Sequence, residues 1–185
     1  MTNSAPYQLR GHVVSPKGVD DIRQVAVNVR KVLGLTGTPV NLCDFLDGLM
    51  KFGITAEVIE DEDSTFLIAG VEAYCNPETA TITLTAQTYQ AARRNDPRTR
   101  FTIFHELGHL LLQHSKTMGR ANVIAKRFID SEWQADQFSA EMTMPLDIIK
   151  AKQLLTPTAI AMHFKVSFPA AASRIRQLTR KGELP

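Results

Sequence analysis

The chain is poor in several things, and each shortage narrows what it is. Its two cysteines, Cys43 and Cys75, have no metal-ligand spacing between them and read as buried thiols, not a disulfide. No apolar run approaches the roughly 18 residues of a transmembrane helix, so no membrane partner is expected. The opening Met-Thr-Asn-Ser-Ala-Pro lacks signal-peptide architecture, which makes the cytoplasm the expected compartment. Internal repeats and a Gly-rich phosphate loop are missing. A net charge of +2 gives no argument for direct nucleic-acid binding. With 44% hydrophobic and 22% charged residues in 185, the composition is that of one globular domain with an ordinary core.

Against this background one stretch stands out, Thr-Ile-Phe-His-Glu-Leu-Gly-His-Leu-Leu at 102–111. His105, Glu106 and His109 form H-E-x-x-H. On a helix the two histidines lie one turn apart on the same face, so both imidazoles can converge on one ion. Zinc suits such a pair because it takes nitrogen ligands and tolerates an open position for water. Glu106 projects about 100° around the helix from His105, beside the ion, where a carboxylate can take a proton from water. The helical context is present: Asp96 and Pro97 are a good N-cap and first residue, and Phe101, Phe104, Leu107, Gly108 and Leu111 form an apolar stripe.

A third ligand sets the class. Positions 112 and 115 hold Leu and Ser where a metzincin has Gly and His, so that branch is excluded. Downstream, Asp130-Ser131-Glu132-Trp133-Gln134-Ala135-Asp136 reads as a helix start, with Ser131 and Gln134 placed as a capping box. Glu132 and Asp136 are four apart and share a face. This E-x-x-x-D pattern resembles the thermolysin-like gluzincins, in which the glutamate completes a His-His-Glu zinc site. Asp136 can then accept the second N–H of a ligand histidine. A solvated acidic face at a helix N-terminus is the competing reading.

Taken together, Arg100-Phe101-Thr102-x-x-His105-Glu106-x-Gly108-His109, then Glu132-x-x-Ala135-Asp136-x-Phe138, then a run ending Met144-Pro145, resemble the ImmA/IrrE family of bacterial metallopeptidases. The departures are small. Ser139 stands where the family often has alanine, Thr143 interrupts the apolar run, and His114 comes one residue later than the pattern, after Gln113.

The remaining chain reads as scaffold. Residues 1–38 form an arm and a helix, with Ile22, Val25, Val29 and Val32 at helical spacing up to Gly34; 39–185 form the zincin-like domain, the two making one unit. Asn41 caps a second helix that Gly53 ends. Strands are expected at 54–60, 66–74 and 80–85, the last two joined by Asn76-Pro77-Glu78-Thr79, with a charged loop at 60–64. Thr81, Thr83 and Thr85 form the polar face of the 80–85 strand. That strand is the candidate edge for pairing with an extended substrate, an interior strand being the alternative. Arg93, Arg94, Arg98 and Arg100 read as a solvated basic collar. Further helices are expected over 146–155, after Thr156-Pro157, and from Ser167. The pair at 156–180 superficially suggests a helix-turn-helix reader, but its apolar content favours packing on the core.

The expected fold is α+β and zincin-like: a small, mostly antiparallel sheet packed against the H-E-x-x-H helix and flanking helices. The resemblance implies a zinc endopeptidase with one Zn2+ per chain, held by His105, His109 and Glu132, with Glu106 as catalytic base. Tyr89 and His163 are the open choices for an oxyanion stabiliser. It further implies a protein partner, a helix-turn-helix repressor serving as substrate in a stress-response or mobile-element module. The alternative is a toxin held by an antitoxin, or a regulator.

Overall fold

The computed structural model describes residues 7–36, 39–60, 71–114 and 126–185. The opening of the arm, most of the acidic loop and the first part of the strand expected at 66–74 lie outside these residues. Helix α1 (Val19–Val32) buries Ile22, Ala26 and Val29. Asn41 caps α2 (Leu42–Gly48) by accepting from the Cys43 N–H, and Gly53, at φ 69, closes the 3-10 turn that follows. Only a left-handed backbone turns the chain there into the first strand, which is why a glycine occupies the position.

The described strands are β1 (Thr55–Ile59), β2 (Ala73–Asn76) and β3 (Thr81–Thr85). Their order is β1-β3-β2. β2 and β3 form the expected hairpin, antiparallel from Ala73↔Leu84 to Asn76↔Thr81. β1 runs parallel to β3, from Thr55↔Thr81 to Ile59↔Thr85. The sheet is therefore mixed where a mostly antiparallel one was expected. The chain passes from β1 to the far side of β3 before the hairpin brings it back, and spacing along the chain carries no record of that crossing.

Two further helices follow the sheet. α3 (Ala86–Arg93), which periodicity did not reveal, is capped by the Thr85 hydroxyl accepting from the Thr88 N–H at 3.0 Å. α4 (Pro97–Leu111) starts as expected, Asp96 accepting from the Thr99 N–H at 2.8 Å. α4 packs on β2 and on α5 (Ser131–Thr143), with Ile103, Phe104 and Leu107 buried between sheet and helices. α1 and α2 share this core, with Phe45 edge-on to Phe104 at 4.8 Å between ring centroids.

A second apolar cluster joins α6 (Leu146–Ala151), α7 (Pro157–Phe164) and α8 (Phe168–Arg180) through Ile149, Ile160, Phe164, Ala171 and Leu178. Two buried arginines tie it to the rest. Arg174 on α8 binds the Glu141 carboxylate of α5 through two N–H donors at 3.0 and 2.6 Å. Arg100 on α4 donates to Phe164 O at 3.1 Å and Asn95 O at 3.0 Å. Arg100 is thus an interior strut, not part of a solvated collar: its fork reaches backbone carbonyls that no local pattern placed nearby. No helix among the described residues is long and apolar enough to cross a membrane.

Candidate metal centre

α4 and α5 meet at Gly108, where α4 presents no side chain. A Cβ on Gly108 would lie 3.1 Å from Ala135 Cα and 3.2 Å from the Phe138 ring. This close approach brings the first turn of α5 against the last turns of α4, with Ser139 Oγ donating to Phe101 O at 2.9 Å further along.

The approach gathers His105, His109 and Glu132. The two Nε2 atoms are 3.1 Å apart. Glu132 Oε2 is 3.2 Å from His105 Nε2, and Oε1 is 3.4 Å from His109 Nε2. Ligand atoms about 2.0–2.1 Å from a tetrahedral ion lie about 3.3–3.4 Å from each other. The donor set, two imidazole nitrogens and a carboxylate, also suits zinc, and one ligand atom from each residue lies within 4.8 Å of the others, so the residues present fit the group.

Each imidazole is held from behind. Asp136 Oδ1 lies 2.9 Å from His105 Nδ1, leaving Nε2 on the cluster side. Arg10, from the N-terminal arm, pairs with the other Asp136 oxygen at 2.8 Å. Behind His109 stands His114, its Nδ1 2.9 Å from His109 Nδ1. Burial disfavours a charged ring at His105, but the hydrogen bonds to Asp136 and Glu132 outweigh it and raise its pKa to about 9. Burial and the charge of His105 together push His109 down to about 4. His114 is also lowered, chiefly by burial, and stands neutral.

Glu106 faces β2. Its carboxylate is hydrogen bonded by the backbone and the thiol of Cys75. Burial raises the Glu106 pKa; the charge of Glu132 adds to that, while His105 and Cys75 oppose it. The Cys75 thiol is pushed up to about 12 by burial and by Glu106. It is therefore a donor to the carboxylate and not a reactive thiolate.

The arm is part of the site. Tyr7 Oη donates to Asp130 Oδ2 at 2.6 Å, and the Arg10 and Gly11 N–H groups donate to the same carboxylate at 2.9 and 3.0 Å. Asp130 also accepts from Glu132 N–H at 3.1 Å and is the N-cap of α5. The capping box expected from Ser131 and Gln134 does not form: Asp130 takes the cap, and Gln134 turns inward to His114. Gly11 fits because any side chain would collide with Ser131 Oγ, 2.3 Å from its Cβ position.

Thr81, Thr83 and Thr85 are not at an edge. β3 is the central strand, bonded to β1 and β2, so its main chain has no open side for an added strand. Thr81 is buried, its hydroxyl bonded to Thr79, and the Thr85 hydroxyl caps α3. The assignment as substrate-binding residues is withdrawn on that ground. Tyr89 packs against the main core, and His163 lies on α7 with its ring edge-on to Phe164. A cavity of about 510 Å³ lies between α5 and α8, lined among others by Phe101, Trp133, Met144, Arg176 and Arg180; Asp136 lines it, but His105, Glu106, His109 and Glu132 do not. Sequence reasoning gave no role to Arg10, Cys75, Asp130 or Gln134 at this site. His114 alone had a signal, its place at the end of the first family motif.

The fold is α+β and zincin-like, with a His-His-Glu cluster beside a buried glutamate. Residues 89–176 match the Peptidase_M78 family model, described as the IrrE N-terminal-like domain, and this segment belongs to the ImmA/IrrE family. No curated protein matches the chain. A solved Mycobacterium tuberculosis transcriptional regulator is similar in fold, with a TM-score of 0.58 at 17% identity. The match covers 90% of this chain but 49% of that one, so the chain spans about half the length of that structure.

Proposed function

We propose that the protein is a zinc-dependent endopeptidase, with His105, His109 and Glu132 holding one Zn2+ and Glu106 acting as general base. The observation that carries this is the convergence of the two Nε2 atoms, 3.1 Å apart, on the Glu132 carboxylate, which turns Oε2 to His105 at 3.2 Å and Oε1 to His109 at 3.4 Å. When bound, the ion supplies Lewis acidity, polarising a peptide carbonyl and bringing the pKa of its water towards about 7. Glu106 accepts the proton of the attacking water and passes it to the leaving amine. Its burial raises its pKa, which makes the carboxylate a better proton acceptor. Asp136 and Arg10 keep His105 oriented, and Cys75 steadies Glu106.

The substrate proposed is a cognate helix-turn-helix repressor, the partner that the family resemblance implies. Residues 156–180 do not serve as a DNA reader in this proposal, since Ile160, Phe164, Ala171 and Leu178 of α7 and α8 are buried in the cluster shared with α6 and Arg174 is buried. The test is to express the protein and its Glu106→Gln variant with the helix-turn-helix protein encoded beside it and to follow that protein's length by mass spectrometry. Cleavage by the parent alone is the expected result. Tight binding without cleavage, with a cellular effect that Glu106→Gln leaves intact, would transfer the function to the toxin or regulator reading.

A further inference from the structure

Gln134 is fully buried on the first turn of α5, and its partners fix which way its amide points. The Nε2 atom sits 2.9 Å from Ser15 O and 2.8 Å from Phe128 O. Carbonyl oxygens only accept, so the atom between them is the NH2 group. The oxygen Oε1 is then the atom facing His114 Nε2 at 3.0 Å. His114 must carry its hydrogen on Nε2, and a neutral imidazole has no second one to give. Its Nδ1 is a bare acceptor 2.9 Å from His109 Nδ1. Only His109 can supply the hydrogen for that contact.

The backbone delivers His114 to this place. Past the end of α4, Gln113 takes a left-handed conformation at φ 57. His114 N–H then bonds His109 O at 3.0 Å, and Gln113 N–H bonds Leu110 O at 3.1 Å. This is the Schellman pairing, which folds the residue after the turn back over the last helical turn. The His114 ring meets the His109 ring edge-on, 4.9 Å between centroids. Gln113, the residue just before His114, is thus the one that makes the turn.

We propose that Gln134 and His114 form a one-directional hydrogen-bond relay that holds His109 as the Nδ1–H tautomer and aims its Nε2 lone pair at the metal position. Both are positioning residues; neither touches the ion. The amide at the head of the relay is anchored by Ser15, so the N-terminal arm supports both histidines, His105 through Arg10 and His109 through Gln134. The consequence for metal affinity rests on the proposed ligand role of His109, whereas the tautomer assignment does not.

The test uses the full chain labelled with [15N]histidine and stripped of metal, read by long-range proton–nitrogen correlation, together with zinc affinity against a chromophoric chelator. Expected in the parent are His109 with hydrogen on Nδ1 and His114 with hydrogen on Nε2. His114→Ala should release His109 into a mixture of tautomers and weaken zinc by about 10–100-fold, the usual range for losing an outer partner of a ligand histidine. His114→Asn, whose amide can accept from His109 and donate to Gln134, should recover most of that loss. A lone fall in melting temperature, with tautomer and affinity unchanged in His114→Ala, overturns the relay. So does finding His109 as Nε2–H in the parent, a reading that needs no variant to fold. Correct tautomers in a protein that binds no zinc would uphold the relay and overturn the ligand reading instead.

Discussion

Gly108 and Ala135 touch with no side chain between them: a Cβ on Gly108 would stand 3.1 Å from Ala135 Cα and 3.4 Å from Ala135 O. Because the Ala135 backbone and the buried Phe138 ring, at 3.2 Å, occupy that space, Gly108→Ala must push α5 away from α4. Helix propensity favours the alanine by about 1 kcal/mol, and overpacking costs about 1–3 kcal/mol. The expected net is a loss of up to about 2 kcal/mol in denaturant unfolding. Glu132 lies one turn from Ala135, so zinc affinity should fall as well. Unchanged affinity would show that the contact sets stability alone.

The cluster predicts a ranking of metal affinities, checked by competition with a chelator. His105→Ala and His109→Ala should each abolish tight binding, and Glu106→Gln should retain it. Glu132→Ala should weaken binding far more than Asp136→Ala, whose loss removes only an outer partner and costs about 10–100-fold. The reverse order would exchange the two acidic roles. Affinity should fall as pH is lowered, since the ligands bind deprotonated.

Glu141 is the most exposed weakness of the interior, although it is itself 2% exposed. It receives Arg174 and Arg23 together, the latter also bound to Glu183. Removing one partner of a buried pair leaves an uncompensated charge and costs about 3–5 kcal/mol. Glu141→Ala should therefore lower unfolding stability by about that amount, with α8 loosened first. Hydrogen exchange concentrated in 168–180 would check the location.

Acid should detach the arm. Burial raises the Asp130 pKa, but the hydrogen bonds from Tyr7, Arg10, Glu132 and Gly11 outweigh it, and the folded value lies below the usual one. Its contribution is therefore complete above the unfolded value of about 3.9 and is lost as pH falls through the lower, folded value. Asp130→Asn should flatten that acid limb and raise exchange at 10–14 already at neutral pH. An unchanged acid limb in this variant would place the arm's anchor elsewhere.

What could be read from the chain and what could not divides along the range of the interactions. Asp96 with Pro97, Asn41, Thr156 and Ser167 act within one turn, so the starts of α2, α4, α7 and α8 were legible, as was the Pro77 hairpin. The four-residue spacings of His105 with His109 and of Glu132 with Asp136 placed each pair on one helix face. The parallel pairing of β1 made β3 central and removed Thr81, Thr83 and Thr85 from any edge. Arg100 looked like one of four surface arginines until α7 packed over it.

By itself the sequence determined two helical faces bearing imidazoles and carboxylates, and an α+β chain. Those follow from backbone period and local capping, which need no partner. Only the tertiary structure decided that the two faces meet at Gly108 and that an N-terminal arm locks onto Asp130. It also decided that the amide of Gln134 reaches His109 through His114. Each of those contacts joins residues far apart in the chain, and its energy exists only once the helices have packed.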